Sequence, residues 1–239
     1  MFLGELMKAI LRSGFLVLAI ILAFAAPANT EPFEDGLAAA ERGDFAAALK
    51  IWQPLAEQGD AKLQFAIGLI HYKGHGVPQD YAEAGKWFRL AAEQGVAEAQ
   101  YKLGLMYDAG QNLPQDYTEA AKWYRMAAEQ GFASAQSNLG GMYANGQGIP
   151  QDHSKAVMWW RMAAEQGLAS AQYKLGFMYG NGLGVPTDYI VAHMWFILAA
   201  TSGHEEARQL LPGQEEDLTP DQVAEAHRMA REWMEKHQQ

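Results

Sequence analysis

AEAQYKLGLMYDAGQNLPQDYTEAAKWYRMAAEQG, residues 97–131, decides the fold because it recurs. The same pattern fills residues 61–96, 97–132, 133–168 and 169–204 without a gap. Its closing glycines, Gly59, Gly95, Gly131, Gly167 and Gly203, stand 36 residues apart. A period of that size marks one supersecondary unit copied in tandem, each copy hiding its apolar face on the next. The first half of each copy reads as a helix. Ala99, Leu103, Met106 and Tyr107 fall at i, i+4, i+7 and i+8, as do Ala135, Leu139, Met142 and Tyr143, and Ala171, Leu175, Met178 and Tyr179. Gly68, Gly104, Gly140 and Gly176 sit beside these stripes. Glycine costs about 1 kcal/mol against alanine inside a helix, so four in register predict a close approach by the partner helix.

Gly74, Gly110, Gly146 and Gly182 are expected to end the first helices. Each loop then closes on Pro-x-Asp, with Asp80, Asp116, Asp152 and Asp188 as N-caps. Glu83 and Glu119, three residues on, complete a capping-box pattern. The second helix carries Trp87, Trp123, Trp159 and Trp195 one period apart, an inter-helix packing column rather than a ligand platform. The fold class is therefore all-α, a solenoid of helix–loop–helix repeats. Residues 29–60 form a linker and a short capping repeat, and residues 61–204 hold four full repeats. Residues 205–239 are C-terminal capping helices, in which Pro212-Gly213 breaks one helix and Thr219 opens the last.

The pattern Ala-x-Ala-Gln-Tyr-x-Leu-Gly-x-Met-Tyr, followed by Pro-x-Asp-Tyr, Ala-x-x-Trp-Tyr and Ala-Ala-Glu-Gln-Gly, resembles the Sel-one-like repeat, a relative of the tetratricopeptide repeat. The resemblance covers roughly residues 34–211. It implies a right-handed α/α superhelix that serves as an adaptor in bacterial envelope signalling, assembly or host contact. Cysteine-rich relatives of that family imply an alternative, a weak β-lactamase-like hydrolase. This chain departs from them in having no cysteine and no Ser-x-x-Lys signature.

Charge and composition narrow the partners. A net charge of -10 argues against nucleic acid or an anionic lipid surface. Lys8 and Arg12 precede an uncharged run from Gly14 to Ala26, and Ala26-Pro27-Ala28 offers small residues for cleavage. Residues 1–28 are thus expected to be a secretory signal peptide, directing a monomer to the periplasm or the exterior without stable membrane insertion. An uncleaved anchor is the alternative, and translation starts at Met1 or Met7.

No cofactor, metal or catalytic group is expected. His71 and His75 are interrupted by Gly74, and a cap-like aspartate repeating once per unit is not an active-site pattern. The expected activity is binding of a protein or extended peptide on the concave face of the first helices. The positions flanking the leucine column form that face: Phe65, Leu69 and Tyr72; Tyr101, Leu105 and Asp108; Ser137, Gly141 and Ala144; Tyr173, Phe177 and Gly180. Aromatic-rich units thus flank a third with small side chains, which predicts a hollow at residues 137–144. Packing between repeats is the other explanation for the aromatics. Arg89, Arg125 and Arg161 form a basic row, read either as a solvated flank or as a dock for an acidic partner.

Overall fold

A computed structural model describes residues 30–237, so the expected signal peptide and the choice of start codon lie outside the described residues. Among the described residues there is no strand. Twelve helices run in chain order: α1 Thr30–Glu41, α2 Phe45–Glu57, α3 Ala61–Lys73, α4 Tyr81–Glu93, α5 Ala97–Ala109, α6 Tyr117–Glu129, α7 Ala133–Asn145, α8 His153–Glu165, α9 Ala169–Asn181, α10 Tyr189–Thr201, α11 Glu205–Glu216 and α12 Pro220–His237. The helices of the four full repeats are each 13 residues long, as the unbroken period requires. No described helix is long and apolar enough to cross a membrane. The chain divides into two compact units at Leu103–Gly104.

In the first unit, Trp52 of α2 anchors a core with Ala48, Leu63, Ile67, Ile70 and Trp87. Its indole donates to the Phe33 carbonyl at 3.4 Å. At the start of α2, Asp44 accepts from the Ala47 N–H at 3.0 Å.

In the second unit the repeat logic is visible bond by bond. The in-register glycines Gly104, Gly140 and Gly176 each face a ring of the partner helix rather than its backbone. A methyl group on Gly104, Gly140 or Gly176 would fall 2.6–2.8 Å from Tyr124, Trp160 or Phe196. The tryptophans of the repeat column are buried, consistent with packing. Asp116 caps α6 through the Thr118 and Glu119 N–H groups, and Asp152 caps α8 through Lys155. The capping box is only half made. The cap residue's own N–H already donates to a carbonyl of the preceding helix, Asp116 to Tyr107 at 3.0 Å and Asp152 to Tyr143 at 2.8 Å. Glu119 has no such donor left to reach and pairs with Lys122 instead.

The second loop glycine has a separate duty. Gly148 and Gly184 lie at φ +69° and +72°, and any Cβ there would meet the backbone of Tyr117 or His153 at 2.3–2.4 Å. These residues seat each loop on the start of the previous repeat's second helix, reinforced by Ser154 Oγ donating to the Gly184 carbonyl at 3.2 Å.

A buried glutamine on each first helix adds a rail between repeats. Gln136 Nε2 donates to the Ala128 carbonyl at 3.1 Å, and its Oε1 accepts from Gln166 Nε2 at 2.8 Å. The first unit makes the same pair of bonds from Gln64 to the Ala56 carbonyl and from Gln94 to Gln64. At the last repeat Gln172 still donates to the Ala164 carbonyl, but its buried Oε1 has no partner. The position that carries Gln94 and Gln166 in the other copies is Ser202 here.

The C-terminal cap corrects one expectation. α11 does not break at Pro212-Gly213 but continues to Glu216 with Pro212 inside it. Packing outweighs the local penalty: Ala207 and Leu211 join Ala199 and Ala200 of α10 in one apolar cluster. α12 starts as expected, and here the reciprocal box is complete, Thr219 N–H to Gln222 Oε1 at 2.9 Å and Gln222 N–H to Thr219 Oγ1 at 3.4 Å. α12 packs on α10, with Trp233 edge-on to Trp195 at 6.2 Å. The effect is plain in one repeat column, where Met162 is 39% exposed and Leu198 only 1%.

Candidate functional site

Of the residues expected to form a binding face, the structure gathers one subset around a cavity. Asp108, Ser137, Gly141 and Ala144 line a pocket of about 380 Å³ in the second unit, with Asn138, Asn145, Gln147, Trp160, Ser170 and Lys174. It arises from α7 being stripped of bulk: Ser137 and Gly141 stand where α9 has Tyr173 and Phe177. Part of the freed space is taken by Trp160, whose indole donates to the Ser137 carbonyl at 3.0 Å. The rim is polar. Asp108 Oδ2 accepts from the Tyr124 hydroxyl at 3.1 Å, and Lys174 supplies the opposite charge.

The remaining expected residues fall elsewhere. Phe65 and Leu69 are 1% and 5% exposed and offer no surface to a partner. That expectation is corrected: Phe65 lies against Phe88 at 5.6 Å, so the column serves packing inside its own repeat. Tyr173 follows the same rule, 5.7 Å from Phe196 and stacked on His204 at 4.4 Å, and is held half-buried by the cap. Tyr72 is half-buried, edge-on to Tyr81 at 5.1 Å. Lys102 Nζ lies 5.3 Å from the Tyr72 ring centroid, and burial pushes that ammonium below its usual value. Tyr101, Leu105 and Gly180 are half-buried. Phe177 is open to solvent at 51% and sits one turn beyond the pocket residue Lys174 on α9.

The basic row is structural where its bonds are seen. Arg125 donates to the Tyr143 hydroxyl at 2.9 Å and Arg161 to that of Tyr179, each tying one repeat to the next. Sequence reasoning missed this pairing, although its signal is a constant 18-residue offset between the two columns. It also missed a cluster at the C-terminal end: His193 of α10, Glu215 of α11 and His227 of α12 come together. The available signal was a histidine in a column that holds Gly85, Ala121 and Val157 elsewhere.

Comparison with known proteins agrees with this architecture. A family model described as the Sel1 repeat matches residues 33–60, 61–96, 97–132, 133–168 and 169–204. Among solved structures the chain is similar to a Sel1 repeat protein from Oxalobacter formigenes, with 35% identity, TM-score 0.70, and 74% of this chain and 72% of that one covered. It is also similar to c5321, a protective antigen present in uropathogenic Escherichia coli strains and displaying an SLR fold, with 30% identity and TM-score 0.55. That match covers 81% of this chain and 50% of the antigen, so the chain spans half of that protein's length. No curated protein matches the chain significantly. Stacked helical repeats of this class typically act as protein-interaction scaffolds. Five consecutive matches that fill most of the sequence, and helix pairs at each of them, place the chain in the Sel1 repeat family.

Proposed function

We propose that this protein is an exported, non-enzymatic scaffold that grips an extended segment of a partner protein, in envelope signalling, assembly or host contact. The observation that carries the reading is the pocket floored by Ser137, Gly141 and Ala144. A site that drops side-chain bulk on one repeat, with an exposed Phe177 on the next, suits a partner side chain inserted between neighbours. Asn138, Asn145 and Gln147 at its rim each offer a donor and an acceptor, the complement of a peptide backbone. The cap aspartates support a non-catalytic reading, because helix ends already account for their periodicity. Export rests on residues 1–28, and N-terminal sequencing of the mature chain is expected to begin at Asn29.

Ser137→Trp fills the pocket and tests the reading. Crosslinking from envelope extract is expected to recover a partner with the unaltered chain and to lose it with the variant. Helicity should be unchanged and Tm within roughly 3 °C, since the site is open to solvent. An equal yield of partner from both chains would retire the pocket as the binding element.

A further inference from the structure

We propose that His193, Glu215 and His227 form a site for a first-row divalent metal ion of the zinc type, clamping α10, α11 and α12 together. His193 Nε2 lies 3.6 Å from Glu215 Oε1, and His227 Nε2 lies 3.7 Å from the same oxygen. The three ligand atoms are all within 4.8 Å of one another. Both separations are too long for good hydrogen bonds. They are close to the edge of a tetrahedron built on zinc–ligand bonds of 2.0–2.1 Å, about 3.4 Å.

A second observation points to a ligand independently. The His193 side chain is 0% exposed, and neither of its ring nitrogens has a hydrogen-bond partner. Buried polar atoms in folded proteins are nearly always satisfied, and an orphaned imidazole aimed at a carboxylate and a second imidazole calls for an occupant. Two imidazoles and one carboxylate suit zinc or a similar transition ion, whereas calcium and magnesium prefer oxygen cages. Glu215 and His227 have side chains 44% exposed, which gives the ion a route in and leaves the fourth position for water.

His193 comes from a helix covered on all sides, with every residue from Ala192 to Ala200 buried. Replacing it could unfold the cap, so the half-exposed ligands carry the test. Full-length protein stripped with chelator is titrated with zinc chloride, by calorimetry and by thermal unfolding, alongside His227→Ala, Glu215→Gln and the control His71→Ala. The expected result is one zinc per chain with a rise in Tm for the unaltered chain and the control. His227→Ala and Glu215→Gln should lose more than about 100-fold in affinity, beyond what removing a hydrogen-bonded neighbour of a ligand causes. Cobalt(II) should give a tetrahedral absorption spectrum with the unaltered chain and not with those two variants. Failure of the unaltered chain to bind zinc saturably overturns the site, as does binding that survives in His227→Ala or Glu215→Gln.

Discussion

Gly148 and Gly131 both hold a left-handed backbone, at φ +69° and +89°, yet they are not equivalent. Nothing lies within 4 Å of where a Cβ on Gly131 would be, while one on Gly148 would strike the Tyr117 carbonyl group at 2.3 Å. Gly131→Ala is therefore expected to cost about 1 kcal/mol, the strain of the conformation alone. Gly148→Ala should cost more than twice that, because the loop must leave its seat. Urea unfolding of the two variants compares them directly, and equal losses would mean that the contact yields. In the second repeat Asn112, at φ +57°, takes the place of Gly148, a residue type that tolerates the left-handed backbone. Gly131 was legible as the glycine closing its repeat, but only the backbone facing Gly148 marks it as a seat. That neighbour comes from the preceding repeat, beyond the reach of local pattern.

At the scale of elements, the paired helices of the four full repeats and their boundaries were written in the period, with Asp at the starts and Gly at the ends satisfying local backbone groups, whereas Pro212-Gly213 did not end α11. The glutamine rail was harder to see, because a glutamine at an apolar-looking position gives no sign of the carbonyl it will meet. The rail makes its own prediction. Gln172 Oε1 is buried without a partner because Ser202 is too short to provide one. Ser202→Gln restores the donor present as Gln166 one repeat earlier, and is expected to stabilise the protein by about 1 kcal/mol. Thermal unfolding should register the gain, and Gln172→Leu in the same background should abolish it. The candidate face was half legible. Small residues mark the pocket on α7, whereas Phe65 and Tyr173 lie against the rings of Phe88 and Phe196 in their own repeats and Leu69 is buried. Sequence spacing assigns a residue to a helix face without saying how deep a neighbouring ring will cover it.

Over the whole molecule, acid should act through the caps. The Glu83 N–H donating to Asp80, and the Lys155 N–H donating to Asp152, hold these carboxyls below their usual 3.8. Their folded-state values lie below the unfolded ones, so the stabilisation is complete above pH 3.8 and fades as pH falls through the lowered values. Asn keeps the capping acceptor without the titration. The double variant Asp80→Asn/Asp152→Asn is expected to match the unaltered chain at pH 7 and to show a shallower fall in Tm below about pH 4. Identical acid limbs would place the sensitivity elsewhere. The distal end of the array carries a different consequence. With Ser202 interrupting the amide rail and α12 laid across α10, the glutamine links between repeats stop at Gln172 and α10 is covered by the chain's own last helix. An array of stacked helix pairs must close off its last apolar face, and here the chain does so with its own amphipathic lid.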